Sequence, residues 1–214
     1  MKMIRTARLF ILLALTTSPA FATHPCTSPL VLDLDGDGVL TYGVDAGVSF
    51  DITGDGALDR VGWTNPFSEE GFLWIDLDKD GQVSGGGELF GTATVLPDGT
   101  RATNGFEALR VYDAATYGGN GDHVISKEDL IWPVLRIWVD SNQDGLSQPW
   151  EVGPLPKWGV YAIELTYEER DRVDGTGSVH RFEGRFLRRV KFLGAELLRV
   201  QRIEDVYFPI AAPD

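Results

Sequence analysis

From Asp76 to Asp80 every second residue is an acid, and a glycine follows: Asp76-Leu77-Asp78-Lys79-Asp80-Gly81-Gln82-Val83-Ser84, with Glu88 beyond. The spacing curls three carboxylates, at loop positions one, three and five, around one point. Gly81 stands at position six, where the chain must turn sharply. Gln82 at seven offers its backbone carbonyl, and Val83 at eight can anchor the loop in a core. Calcium, a hard divalent cation that takes about six to eight oxygens, suits this donor set. The bidentate acid of an EF-hand stands at position twelve, which here is Gly87. Glu88 comes one place later, and Gly85, Gly86 and Gly87 permit the loop to flex and use it.

The rest of the chain is arranged around copies of this loop. Asp33, Asp35, Asp37 and Gly38 form one. Asp51, Thr53, Asp55, Gly56 and Asp59 form another, with a hydroxyl at position three. Asp140, Asn142, Asp144, Gly145 and Glu151 form a further copy, whose acid does fall at twelve. Asn120, Asp122, Ser126 and Asp129 form a degenerate one. It has Gly118 at position one and His123 where glycine is usual, and Asp113 can swing in for the missing ligand. Val124 and Leu146 match Gln82 at position seven. The Asp33 copy alone reads equally well as a polar turn, since Asp and Gly make turns for ordinary reasons. Five copies, with acids downstream of Asp76 and Asp140, favour calcium.

Residues 1–22 read as a cleavable secretory signal peptide, which implies a secreted or periplasmic protein. Lys2, Arg5 and Arg8 make a basic start, Leu9 to Leu15 an apolar run, and Ala20-Phe21-Ala22 a small-x-small cleavage site. The apolar run is too short to span a bilayer. Residues 23–28 follow as a flexible N-terminus. Cys26 is the only cysteine and has no internal disulfide partner.

The formal charge is −13, and loss of the leader's three cations makes the remainder more acidic. That argues against nucleic acid and anionic lipid as partners. It also calls for something cationic to neutralise a self-repelling chain. Calcium supplies two charges per site, and outside the cell it is plentiful enough for sites with dissociation constants of roughly 10⁻⁴–10⁻³ M.

The expected fold class is α+β: short strands and short helices joined by EF-hand-like Asp/Gly calcium loops, with a C-terminal antiparallel β-hairpin. Short apolar strands over Pro29–Leu32, Val48–Phe50 and Gly71–Ile75 run into the first three loops, and Leu135–Val139 runs into the Asp140 loop. Arg60–Trp63 is a further short strand. Asn104 caps a helix over Gly105–Tyr112. Ser126 opens a second helix, limited by Pro133, and Pro149-Trp150-Glu151 begins a third. Residues 29–168 make up the calcium-loop domain. Residues 169–214 hold a hairpin and a final strand over Val206–Ile210, packed on the same domain. The hairpin pairs Val160–Tyr167 with Val179–Val190 across the turn Asp174-Gly175-Thr176-Gly177. Seven cations from Arg170 to Lys191 make this tail basic, which reads as internal charge matching on a solvated face.

These motifs, in this order, are familiar. Pro29-Leu30-Val31-Leu32-Asp33-Leu34-Asp35-Gly36-Asp37-Gly38 resembles the opening of the calcium-dependent self-processing module of FrpC-type iron-regulated RTX proteins. Gly87-Glu88-Leu89-Phe90-Gly91, Asn104 to Leu109, Gly119 to Asp122, and Leu135 to Glu151 continue the resemblance, which covers roughly residues 28 to 170. It implies a bacterial secreted EF-hand-like calcium-binding protein. In the family an Asp before the opening proline is cut, its carboxylate attacking its own backbone carbonyl. The matching residue here is Ser28, whose hydroxyl cannot form that anhydride, so the cleavage chemistry does not carry over.

No Gly-x-Ser-x-Gly, His-Glu-x-x-His or phosphate-loop pattern is present. His24, His123 and His180 are scattered and read as surface residues. A non-enzymatic calcium-binding protein is therefore expected, with a cell-surface or extracellular protein as the partner of its calcium-rigidified surface. A calcium-dependent self-processing or hydrolytic enzyme, for instance one using a pair of carboxylates, is the alternative.

Overall fold

The computed structural model describes residues 27–212. The expectations for the signal peptide, for most of the flexible N-terminus and for Cys26 lie outside the described residues.

One antiparallel sheet dominates, with eight strands in the order β7-β10-β11-β12-β1-β6-β8-β9. Its centre is β12 (Ala195–Tyr207), β1 (Leu30–Asp33), β6 (Glu70–Ile75) and β8 (Leu135–Trp138), closed on one side by β9 (Val152–Pro154). The other side is β11 (Val179–Phe192), β10 (Val160–Val173) and β7 (Val124–Ile125). Two two-stranded ribbons lie outside it. One joins β2 (Thr41–Tyr42) to β5 (Trp63–Thr64), the other β3 (Val48–Phe50) to β4 (Asp59–Val61).

Strand alternation sends neighbouring side chains to opposite faces, and both faces are buried at the centre. Leu30, Leu32, Leu73, Leu135, Ile137 and Ile203 face one core, together with Phe106, Leu109 and Phe186. Val31, Phe72, Trp74, Trp138 and Val206 face the other, where Phe50, Trp63 and Phe208 join them. Trp63 stands 4.6 Å from Phe72 and 5.6 Å from Trp138, ring centre to ring centre. A central strand buried on both faces reads as a continuous apolar run, which is why Leu30–Leu32 and Phe72–Ile75 are so apolar.

The α+β expectation is overturned: the fold is mainly β. The only α-helix among the described residues is α1, Gly105–Arg110. Its start is as expected, with the Asn104 side chain accepting the Glu107 N–H. The other two expected helices are turns. At Ser126 the Asp129 carboxylate takes the Ser126 N–H. That local bond competes with helix propagation. At Pro149 the chain makes one turn, Glu151 N–H to Gln148 carbonyl, and then enters β9. The strand read at Val206–Ile210 begins much earlier, at Ala195. It pairs with β11 along its length and with β1 near its end, Leu30 opposite Asp205.

Candidate metal centre

Four of the five loops hang from strands. Asp33 ends β1, Asp51 follows β3, Asp76 follows β6 and Asp140 lies just past β8. All share one backbone signature, a positive φ at positions four and six. These residues are Gly36 and Gly38, Gly54 and Gly56, Lys79 and Gly81, Gln143 and Gly145, and, in the degenerate copy, Gly121 and His123. Residues other than glycine rarely adopt this conformation, so Lys79 (φ 66°), Gln143 (φ 59°) and His123 (φ 65°) are held there by their surroundings.

What holds them is the first carboxylate. It accepts the N–H of position six in every loop: Gly38 to Asp33 at 3.0 Å, Gly56 to Asp51 at 2.9 Å, Gly81 to Asp76 at 3.2 Å and Gly145 to Asp140 at 2.9 Å. In the degenerate copy the acceptor is Asp113, which takes the N–H of His123 at 3.0 Å and that of Gly121 at 3.1 Å. Asp113 fills position one from outside the loop. The position-seven N–H groups of Ala57, Gln82, Val124 and Leu146 each donate to the carboxylate at position five.

Two of the sequence-derived triplets come together. Asp33, Asp35 and Asp37 bring one carboxylate oxygen each within 4.8 Å of the others, as do Asp76, Asp78 and Asp80. The remaining loops carry Thr53, Asn142 or Asn120 at position three and so hold fewer acids. The downstream acids fold back. Glu88 accepts the N–H of Leu77 at 2.8 Å and of Ser84 at 2.9 Å. Glu151 accepts from Ser141 at 3.0 Å and Gln148 at 3.3 Å, and Asp129 from Ser126 at 2.8 Å and Asn120 at 3.4 Å. Asp59 stands beside Asp51 and Asp55.

The three glycines before Glu88 do more than supply freedom. A Cβ on Gly86 would lie 2.0 Å from the Ile52 carbonyl oxygen, and one on Gly85 3.1 Å from the Asp51 carboxylate. The Gly86 N–H donates to the Asp51 carbonyl at 2.7 Å. The Asp76 loop thus lies against the Asp51 loop. The position-eight residues join it to the Asp140 loop, Val83 N–H to Ser147 hydroxyl at 2.7 Å. Val83 sits in the tryptophan core as its spacing suggested. The Trp63 indole N–H reaches the Asp140 carboxylate at 2.8 Å.

Glu70 was not among the sequence-derived ligands. It is opposite Asp33 in the β1–β6 register, is 2% exposed, and accepts the Leu40 N–H at 2.7 Å. Burial, with Asp35 and Asp37 nearby, pushes its carboxyl up to about 8. Burial likewise raises Asp33, Asp59, Glu88 and Asp140, each with a further acid close by. Glu70, Asp59 and Asp76 each keep one buried carboxylate oxygen without a hydrogen-bond donor. Native proteins rarely leave such an oxygen unmatched. Glu204 and Asp205, away from the loops, keep such an oxygen too, and the acid groups placed to hold a metal ion are those of the Asp33 and Asp76 loops.

His180 corrects the surface reading, being 2% exposed. One ring nitrogen meets Glu204 and the other Asp174, at 3.0 Å. Asp174 also binds the hydroxyls of Thr41 at 2.6 Å and Thr176 at 2.7 Å. Burial pushes the Asp174 carboxyl up, but these hydroxyls and the imidazole outweigh it and hold it well below the usual carboxylate range. Ser28 is buried, donates its N–H to the Thr92 hydroxyl at 3.0 Å, and lies beside the buried Asp205.

Residues 30–191 match the SPM domain family. The iron-regulated protein FrpA of Neisseria meningitidis serogroup C is 37% identical over 160 residues, which is 74% of this chain. The match spans 14% of that relative's own length.

Proposed function

As the chain belongs to the SPM domain family, we propose that it is a secreted calcium-binding protein. Its EF-hand-like loops bind several calcium ions, brace the fold and present an interaction surface to an extracellular or cell-surface partner. One observation carries this reading. Loops of one backbone geometry recur, and two of them, at Asp33 and Asp76, converge three carboxylates each. The side chains offered are oxygen donors of Asp, Glu, Asn and Thr, the set that calcium prefers over softer metals.

Calorimetric titration tests it. Three or four calcium ions are expected, with the Asp76 and Asp140 loops strongest. Asp78→Asn with Asp80→Asn, both on exposed residues, should remove one tight site. Fewer than two bound ions in the unaltered protein would sink the reading. Export is part of the proposal, and N-terminal sequencing of secreted protein should begin at Thr23.

The same reading makes the protein a binder and not an enzyme. At His180 both ring nitrogens already face carboxylates, which bears on a histidine-activated nucleophile and not on a carboxylate pair. Neither is left to activate a nucleophile.

A further inference from the structure

The β11–β12 hairpin outruns the sheet that carries it. β10 pairs with β11 no further along than Arg188, and β1 pairs with β12 only from Ile203 to Asp205. The Arg189 N–H still reaches the Gly159 carbonyl at 2.7 Å; beyond it the two strands pair only with each other, from Val190 opposite Leu197 to Phe192 opposite Ala195. A free two-stranded ribbon is marginal in water, and this one also exposes apolar side chains. Leu193 at the turn is 92% exposed, Leu198 58% and Val200 59%. Leu198 and Val200 share one face, while Leu197, 42% exposed, is on the other.

Its charge is equally distinct. Residues 185–202 hold six cations and one acid, in a chain with 19 cations and 32 acids. Nearer the sheet the cations are matched: Arg170 with Glu168, Arg181 with Asp171, and Arg202 with Glu183 and Glu204. On the ribbon, Arg189 meets Glu196 at 3.5 Å, while Lys191 and Arg199, and Arg185 at its base, form no ion pair among the described residues. Arg199 is directly opposite Arg188, an arrangement that destabilises a sheet without a counter-anion. The net charge argues against anionic lipid for the chain as an average. The structure separates this cationic ribbon from the acidic loops.

We propose that the ribbon docks end-on into an anionic lipid bilayer surface, with Leu193 entering the headgroup boundary and the flanking cations meeting lipid phosphates. Apolar side chains on both faces and at the tip suit immersion from the end. A protein partner docking on one face would leave the others exposed, and pairing of two β12 edges would leave Leu193 in water. Cationic groups beside an anionic leaflet supply the attraction, and salt screens it.

Vesicle co-flotation in calcium tests this. The purified protein should float with vesicles of equal phosphatidylglycerol and phosphatidylcholine, and not with phosphatidylcholine alone. Raising sodium chloride from about 0.1 to 0.5 M should cut binding about tenfold. Leu193→Asp, and separately Lys191→Glu with Arg199→Glu, should abolish it while leaving the thermal melt unchanged. Three results would overturn the proposal. One is no flotation of the unaltered protein. Another is flotation that survives Leu193→Asp, which would mean calcium bridging from the acidic loops. The third is a dimer, seen in sedimentation, that these variants split without any lipid binding.

Discussion

At the scale of the residue, Glu70 offers the sharpest test. Its carboxyl is raised to about 8 in the folded chain, against about 4.3 when unfolded. Folding therefore takes up a proton between these values. The stability that Glu70 contributes is complete below the unfolded value and is lost as pH rises through 8. In chelator, the melting temperature should fall between pH 5.5 and 9, and Glu70→Gln should flatten that fall by about 4 °C or more at the alkaline end. Calcium, which prefers the carboxylate, should reverse it. Equal slopes for the two proteins would remove Glu70 from the account. Ser28 gives a second test at this scale. Incubation with millimolar calcium should leave the mass unchanged, because a serine before Pro29 supplies no carboxylate to attack the backbone. A new terminus at Pro29 would refute this. The carboxylates at fixed spacing were legible from sequence because the loop encodes them locally. Glu70 was not, since strand register alone brings it to Asp33.

At the scale of the element, the contact between loops is the feature to break. Gly86→Ala puts a methyl group 2.0 Å from the Ile52 carbonyl, and backbone on both sides must move. A loss of roughly 1–3 kcal/mol is expected in the melt, typical of overpacking. Gly87→Ala is the control, because nothing lies within 4 Å of its added Cβ. Similar losses for both would mean that the glycine run matters for flexibility and not for this contact. Strands entering the loops were readable from their apolar runs. Most of β12 was not, because it faces water on both sides over its first half and shows no clean alternation. The expected helix at Ser126 failed for a different reason. Asp129 binds backbone there, so a residue read as a helix-start acid serves the loop instead.

At the scale of the whole molecule, the acidic loops and the sheet depend on one another. The Asp51, Asp76 and Asp140 loops meet over the tryptophan core, so their repulsion is transmitted to its packing. A ligand that binds only the native state stabilises it by about 2.7 kcal/mol per site at a hundredfold excess over its dissociation constant. Three such sites rival the roughly 5–15 kcal/mol of an ordinary domain. A cooperative melt is expected in calcium, with a lower or absent transition in chelator. Magnesium should substitute poorly, because it demands a tighter octahedron and sheds water reluctantly. Identical curves in all three conditions would reduce the loops to turns.

The pairing of β1 with β12 has a consequence in time. β1 is the first strand of the sheet in chain order, yet one of its two neighbours, β12, follows every other strand of that sheet. Machinery that delivers the chain from its N-terminus therefore hands over a sheet with an open seam. The centre can close only after β12 has emerged, and such distant pairing is slow to form. Until then the chain stays threadable, and the order of its strands sets the moment at which it can lock.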